Sequence, residues 1–305
     1  MRRKLTATAL VLLAVAVAVV GWRVLDRPAE CAPGNPCGPA WTYRIEDFQP
    51  GGGDYAVTVA RGTVGLVGRP VNTQADVDGR RAAVLVRVDT RDGREAGRIP
   101  LGLDYAGIAV AVVRSSAHDT IALYCPYPGH PDCVAGRPAL DAGGASVIAT
   151  ADGRVVRDLA GPVGDVEELA ASGFVPDTGD AAWQSRDDAV HLATAGWVVT
   201  FADDSVVVRD RLGTRLHTLT AEDDLRPRTD LDVGAVVTAD RGRLAVVYTG
   251  HVRVWDLGAG TQLAALRHDG PGLPTFSADG RELVFATGAA KGDEWWADLT
   301  GYRVG

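Results

Sequence analysis

The sequence predicts an all-β domain preceded by one hydrophobic helix. Almost the whole chain after Trp41 consists of short, Val-rich runs bounded by Gly, Asp or Pro, which is typical of strands. Apolar residues at helical spacing are confined in this region to one weak stretch between Gly164 and Ser172. The first residues, in contrast, hold a long run without charge. The 305 residues are enough to bury one large all-β domain or two smaller domains.

The N-terminus predicts a segment that enters a membrane. Basic residues at positions 2 to 4 precede an uncharged run from Leu5 to Trp22, which on a helix rises about 27 Å, close to the hydrocarbon thickness of a bilayer. We therefore predict a single-pass signal anchor in the lipid bilayer of the cell membrane, with residues 1–4 as a cytoplasmic tip and the rest extracytoplasmic. A cleaved signal peptide is the alternative, because Val19 and Gly21 are small enough to precede a cleavage site.

The region after the uncharged run is acidic. Residues 1–23 contain four basic and no acidic residues, so the rest of the chain carries a net charge of −12. An acidic surface repels nucleic acid and anionic lipid headgroups. We therefore expect no nucleic-acid partner.

A linker rich in Pro, Gly and Cys is predicted over residues 23–40. The four cysteines of the chain occur as two close pairs, Cys31 with Cys37 and Cys125 with Cys133. In an oxidising compartment two local disulfides are the simplest interpretation, although four cysteines allow three pairings. A metal site that includes His130 is the other alternative, but neither spacing is typical of zinc ligands, and we predict no metal.

One hairpin plan recurs along the chain. An alternating apolar strand, an acidic residue, a Gly turn and a second strand occur about every 40 to 60 residues, with the turn glycines at Gly93, Gly153, Gly213, Gly260 and Gly301. The last of these hairpins is "WWADLTGYRV" (Trp295 to Val304). A single hairpin cannot bury its apolar faces alone, so the recurrence predicts sheets packed around an axis. The predicted fold over residues 41–305 is a β-propeller of about five to seven four-stranded blades.

The chain resembles the WD-repeat family over about residues 232–296. Trp255 and Asp256 close a predicted third strand, and "FSADGRELVFATG" stands where such repeats carry a Ser-Pro-Asp-Gly turn. His268 falls at the histidine of the family's Gly-His dipeptide, with Arg267 in place of the glycine. The resemblance implies a binding or assembly scaffold.

In the propellers that this chain resembles, the connections between the second and third strands lie on one face, which is often the binding face. The sequence predicts three uneven connections there, Arg69–Arg81, Cys125–Gly144 and Gly288–Glu294. We predict that the longest binds a protein partner through Tyr127, His130 and Asp132, because a local disulfide would lower the entropy cost of ordering them. A tolerated surface insertion is the alternative.

The predicted function is a membrane-tethered, extracytoplasmic scaffold that binds a protein, without catalytic residues or a cofactor. The alternative is a hydrolase, a lyase or a quinone-dependent enzyme whose site is built from loops of different blades. Tryptophans could form a ligand cage, but we expect them to fill the space between sheets: Trp183, Trp197, Trp255, Trp295 and Trp296.

Overall fold

The computed structural model describes part of the chain, and every structural statement below concerns that part. It comprises residues 31–33, 35–50, 57–60, 62–71, 81–105, 111–115, 119–124, 140, 143–159, 174–175, 189–194, 197–202, 205–210, 214–220, 235–237, 242–248, 250–268, 274–292 and 294–305. The predicted helix over Leu5–Trp22 lies outside it. Among the described residues no helix is long and apolar enough to cross a membrane.

The described residues are predominantly strands, which confirms the all-β prediction. The strands are β1 Trp41–Glu46, β2 Phe48–Pro50, β3 Val57–Ala60, β4 Thr63–Pro70, β5 Arg81–Asp89, β6 Glu95–Tyr105, β7 Ala111–Ser115, β8 Thr120–Tyr124, β9 Ala145–Ala149, β10 Val155–Leu159, β11 Phe174–Val175, β12 Ala189–Thr194, β13 Trp197–Ala202, β14 Ser205–Asp210, β15 Arg215–Thr220, β16 Ala235–Val237, β17 Arg243–Tyr248, β18 His251–Asp256, β19 Thr261–Arg267, β20 Pro274–Phe276, β21 Glu282–Lys291 and β22 Glu294–Arg303.

These strands form five antiparallel sheets in the described part of the chain, and four of these sheets are built around four strands that follow one another. In sheet 1, β2 and β3 both pair with β4, β3 near its start and β2 near its end. Strands β5 and β6 follow in the sheet. Sheet 2 contains β7 to β10, with β11 added beside β7. Sheet 3 contains β12 to β15, and sheet 4 contains β16 to β19. Sheet 5 contains β20, β21 and β22, and its fourth strand is β1 from the other end of the chain.

The turns between third and fourth strands follow one geometry. The N–H of Gly93, Gly153 and Gly260 each donates to the carbonyl four residues earlier, at 2.8 to 2.9 Å. Their φ angles are 70°, 74° and 67°, a left-handed conformation that glycine adopts without steric cost. The prediction that these three glycines form turns is confirmed, and Gly213 lies outside the described residues.

A second bond recurs at the end of each third strand. The residue that follows the strand donates its N–H to the carbonyl of the residue that precedes the second strand. The four described bonds are Thr90 to Gly62 (2.9 Å), Thr150 to Asp119 (2.9 Å), Leu257 to Gly242 (2.9 Å) and Val304 to Arg281 (2.8 Å). The bond of Val304 identifies β22 as the structural counterpart of the other third strands.

The hairpin predicted at Trp295 to Val304 is wrong. This stretch belongs to one uninterrupted strand, β22, and Gly301 lies within it rather than in a turn. Gly301 pairs with Trp41 of β1, and the Trp41 indole occupies the space that a Cβ on Gly301 would need. The glycine therefore allows a close approach between strands, which is a second reason for glycine within a strand.

The connection predicted at Gly288–Glu294 does join a second strand to a third strand, but it is shorter than predicted. Strand β21 continues to Lys291 and β22 begins at Glu294, so the connection is reduced to residues 292 and 293. Gly292 has a φ of 63°, which suits a tight turn between two long strands. The other two predicted connections also join second and third strands, β4 to β5 and β8 to β9.

The core lies between neighbouring sheets. One buried cluster joins sheets 1 and 2 through residues such as Leu85 and Ile148. A second joins sheets 5 and 1 through Leu299 and Leu66, and a third joins sheets 4 and 5. First strands of different sheets contact one another at four places: β3 contacts β7, β12 contacts β16, β16 contacts β20 and β20 contacts β3.

The segment Cys31–Ala40, predicted as linker, packs against sheets 4 and 5 and belongs to the same compact unit as the strands. The sulfur atoms of Cys31 and Cys37 lie at bonding distance, with their Cα atoms 5.1 Å apart, as the sequence predicted. The N–H of Cys31 donates to the carbonyl of Arg303 (3.2 Å), which attaches the segment to sheet 5. The second predicted pair, Cys125 and Cys133, lies outside the described residues.

The same segment runs along the outer strand of sheet 4. The N–H of Cys37 donates to the carbonyl of Ala265 (3.2 Å), and the N–H of Arg267 donates to the carbonyl of Cys37 (3.0 Å). The carbonyl of Pro33 accepts from the side chains of Arg253 (3.4 Å) and Gln262 (3.3 Å). The segment therefore lies against both β18 and β19.

Candidate protein-binding surface

The hairpin of β21 and β22 is longer than its counterparts. Both strands have ten residues, whereas β17 and β18, the corresponding strands of sheet 4, have six. Among the described strands, β20 pairs only with the stretch Leu283–Phe285, and β1 pairs with Trp296–Gly301. The pairs Ala290 with Trp295 and Lys291 with Glu294 therefore extend past both neighbouring strands.

Trp295 lies on this extension, and Trp296 lies next to it, opposite Glu46 of β1. The expectation that tryptophans fill the space between sheets is confirmed for Trp255, which is 5% exposed. It fails for Trp295 and Trp296, which are only half-buried. Trp295 lies where the hairpin runs beyond both neighbouring strands, and Trp296 lies at the last position that pairs with β1. Trp183 and the side chain of Trp197 lie outside the described residues.

Strand β1 places an arginine beside one of these tryptophans. Its register sets Arg44 opposite Asp298, and the guanidinium makes two bonds to the carboxylate, Nε to Oδ1 at 2.8 Å and the terminal nitrogen to Oδ2 at 2.9 Å. The Arg44 Cζ atom lies 5.3 Å from the centroid of the Trp296 ring. The carboxylate fixes the guanidinium plane, and the cation–π contact orients the indole. Tryptophan and arginine on a surface are the residue types that most often dominate the energy of protein interfaces.

The opposite face of β1 carries a second polar group. The hydroxyl of Tyr43 donates to the Glu95 carboxylate, which also accepts from Arg98, at 3.0 Å to Nε and 3.0 Å to a terminal nitrogen. Hydrogen bonds from Arg98 lower the pKa of Glu95, and burial together with the bond to Glu95 raises the pKa of Tyr43. At neutral pH Glu95 is ionised and Tyr43 is protonated. The group joins sheet 5 to the outer strand of sheet 1.

The residues predicted to bind, Tyr127, His130 and Asp132, lie outside the described residues, but the base of their loop is described. The loop leaves at Tyr124 and returns at Ala145, which pair directly across β8 and β9. Within it Leu140 is 2% exposed and belongs to the core between sheets 1 and 2. The N–H of Gly143 donates to the Leu140 carbonyl (3.0 Å). The connection is thus anchored in the core near its return to β9.

His268 has a packing role. Its Nδ1 lies 3.1 Å from the Tyr302 hydroxyl, which itself donates to the carbonyl of Arg267 (2.9 Å), so Nδ1 donates to the hydroxyl oxygen. The His268 ring also stacks on Phe285, with 3.7 Å between ring centroids. These contacts join sheets 4 and 5. In the described ranges no three His, Cys, Asp or Glu side chains are placed to hold a metal ion.

Neither a protein-family model nor a curated protein matches this chain. The sequence analysis did not identify Arg44 and Asp298, which lie far apart in the chain. One local signal for the tryptophans exists, because adjacent residues of a strand point to opposite faces. Trp295 and Trp296 therefore cannot both face the same core.

Proposed function

We propose that the chain is a five-bladed β-propeller that binds a protein partner on the face where second and third strands connect. Each of the five sheets supplies one blade of four strands. Strand β1 closes the ring by completing the blade that β22 leaves one strand short. The contacts between first strands of different sheets support a cyclic arrangement of the blades.

The turn glycines also support the ring. A Cβ added to Gly93 would meet the Trp41 ring of β1 at 2.6 Å, and one added to Gly153 would meet Ile99 of β6 at 2.7 Å. For Gly260 the nearest atom is Nδ1 of His217 on β15, at 3.4 Å. In all three cases the turn of one sheet touches the fourth strand of the preceding sheet. Repetition of one inter-sheet contact is the geometry that generates a ring.

The observation that carries the binding function is the exposed hairpin with Trp295 and Trp296. Aromatic side chains that are half-buried and held in place lose little entropy when a partner covers them. In the proposed ring this hairpin lies on the same face as the Cys125–Gly144 connection, because both adjoin the start of a third strand. The two features then form one binding face, with a core-anchored loop and a tryptophan hairpin.

The proposed location is the extracytoplasmic side of the cell membrane, with Leu5–Trp22 as the anchor. The pairing of Cys31 with Cys37 supports an oxidising compartment. If the anchor is retained, the protein stays in the membrane fraction after a carbonate wash, and external protease reaches the domain. A soluble mature chain that begins near Trp22 would overturn the anchor.

The binding function is tested with the full chain, purified in detergent and used as bait for extracts of its own cells. We expect W295A/W296A to capture its specific partners at least tenfold less than the unchanged protein, which corresponds to about 1.4 kcal/mol. The matched control is K291A/E294A, which changes the same hairpin and leaves both indoles. Equal capture by a folded W295A/W296A variant would exclude this surface.

A further inference from the structure

A β-bulge recurs in the outer strands of four sheets. In each of these sheets, the pairing between the third and fourth strands skips one residue of the fourth strand. The skipped residue stands three positions after the turn glycine in the sequence. The skipped residues are Ala96, Val156, Leu216 and Leu263. A bulge redirects the side chain of the extra residue, and bulges are common at the edges of sheets and next to functional sites.

The exposed apolar side chains coincide with this position. Among the described residues the two large hydrophobic side chains that are exposed are Val156, at 47%, and Leu216, at 43%. Single exposed apolar residues are common on protein surfaces. Here, however, both lie at the same repeat position of sheets 2 and 3, on β10 and β15, which end the strand orders of their sheets.

In sheet 4 the residue at the bulge position, Leu263, is partly covered by another segment of the chain. Leu263 is half-buried and packs against the same core cluster as Cys37. The Cys31–Cys37 stretch lies along this outer strand and pairs its backbone with Ala265 and Arg267. Gln262, two residues after the turn glycine, donates to the carbonyl of Pro33. The backbone of another segment, here at Cys37, can therefore pair with this outer edge shortly after the bulge.

We propose that the outer edges of sheets 2 and 3 bind an extended, acidic segment of a partner protein in the same manner. Arg215 stands on β15 at the repeat position of Gln262, and it is exposed beside Leu216. A guanidinium there donates to a carbonyl or, more strongly, to a carboxylate. On β10, Arg157 follows Val156 and is also exposed. Added strands gain affinity from backbone bonds, and flanking side chains select the sequence.

The test uses the full chain in detergent and a library of nine-residue peptides displayed on phage. We expect selection to enrich peptides that alternate acidic and apolar residues. The enriched peptides should bind V156S/L216S at least tenfold more weakly than the unchanged protein. They should also bind R215E more weakly, because the reversed charge repels the carboxylates. Binding should survive in W295A/W296A, which separates these edges from the tryptophan hairpin.

The matched control is A96S, which changes the same bulge position in sheet 1, where the side chain is exposed but small. We expect this variant to bind the peptides as the unchanged protein does. Failure to enrich any peptide, or equal binding by folded V156S/L216S, overturns the proposal. Sedimentation that shows copies of the chain associating through Leu216 also overturns it, because the occupant would then be a second copy.

Discussion

The Trp41 indole is enclosed by the backbone of two sheets. One side of its ring lies against Gly301 of its own sheet, and another part lies against Gly93 in the turn of sheet 1. Its Nε1 donates to the carbonyl of Thr90 (2.6 Å), so the polar atom of a buried side chain is satisfied. A single side chain thereby joins the two sheets that meet where the chain closes on itself.

Replacing Gly301 by Ala should destabilise the protein by about 1–3 kcal/mol, because the new methyl group must displace the Trp41 ring. Thermal unfolding of the two proteins measures the difference. Gly38→Ala is the matched control, since nothing lies within 4 Å of a Cβ at that position. An unchanged melting temperature for Gly301→Ala would contradict the packing described for Trp41.

Glu282 is a carboxylate whose ionisation opposes folding. Burial raises the pKa of Glu282, and the nearby charge of Asp279 raises it further. A raised folded pKa means that the folded protein holds this proton more tightly than the unfolded chain does. The contribution of Glu282 to stability is therefore present at low pH and is lost as the pH rises from the ordinary glutamate value, about 4.3, through the raised folded value.

Glu282→Gln should accordingly make the protein more stable at pH 7 and change its stability less at pH 4. The amide keeps the shape of the side chain and cannot ionise. Denaturant unfolding at the two pH values gives both differences. Glu46→Gln, at an exposed position at the end of β1, serves as the control for loss of one negative charge. A larger gain at pH 4 than at pH 7 would show that the sign assigned to Glu282 is wrong.

At the scale of elements, the sequence predicts those features that local backbone geometry requires. Gly93, Gly153 and Gly260 have positive φ, and that need places glycine at each turn whatever the rest of the fold does. Gly301 gives the same local signal for a different reason, the proximity of Trp41. The sequence alone does not distinguish a glycine in a turn from a glycine that allows close packing. A hairpin was therefore predicted at Trp295 to Val304, where strand β22 in fact continues.

The candidate surface was predicted less completely than the strands. The position of the Cys125–Gly144 connection follows from the strands on either side of it. The tryptophan hairpin depends instead on how far β21 and β22 outrun β20 and β1, which is a relation between strands from different parts of the chain. No local pattern of residues records that relation.

The Cys31–Cys37 bridge should fasten the N-terminal segment more than it stabilises the fold. By the chain-entropy model so short a loop contributes on the order of 2 kcal/mol. In C31S/C37S, hydrogen exchange of the Arg267 amide should accelerate, because its acceptor is the Cys37 carbonyl. The amide of Thr90, bonded to Gly62, should keep its protection. Equal acceleration at both amides would mean that the bridge stabilises the whole domain.

Non-reducing peptide mapping tests the second predicted bridge. The expected product joins Cys125 to Cys133, because the two residues are close in sequence and flank a loop rich in Pro and Gly. The peptide that joins Cys31 to Cys37 is the internal reference. A free thiol at either Cys125 or Cys133 would contradict the prediction.

For the whole molecule, the all-β class and the repeat of sheets follow from the sequence, but the pairing of β1 with β22 does not. The ion pair of Arg44 with Asp298 spans 254 positions, and β1 pairs with β22 along its full length. Such a pairing depends on how two distant stretches of the chain fit together. The spacing of residues within either stretch does not reveal it. From the sequence, residue 41 is therefore predicted only as the start of the domain, and the sheet to which residues 41 to 46 belong is not predicted.

In the proposed ring, the site of closure can be moved. A permuted chain that begins at Thr214 and ends at residue 211, with Gly305 joined to Gly38 by Asp-Gly, would close through sheet 3 in place of sheet 5. We expect it to fold with an unchanged circular dichroism spectrum, because the same strands pair. The control permutant opens the chain inside β18, between Val252 and Arg253, and should fail to fold. Failure of the first permutant alone would contradict the position assigned to β1.

The pairing of β1 with β22 sets the order of events when the protein is made. The ribosome releases β1 long before β22, so Trp41 and Ile45 lack their partners in sheet 5 while the chain between them is synthesised. Contacts between residues so far apart form slowly, since the intervening chain must first be brought together. During that interval an apolar strand with an open edge is available to any other chain. Cells that make this protein should therefore depend on a chaperone that shields its N-terminal strand until synthesis is complete.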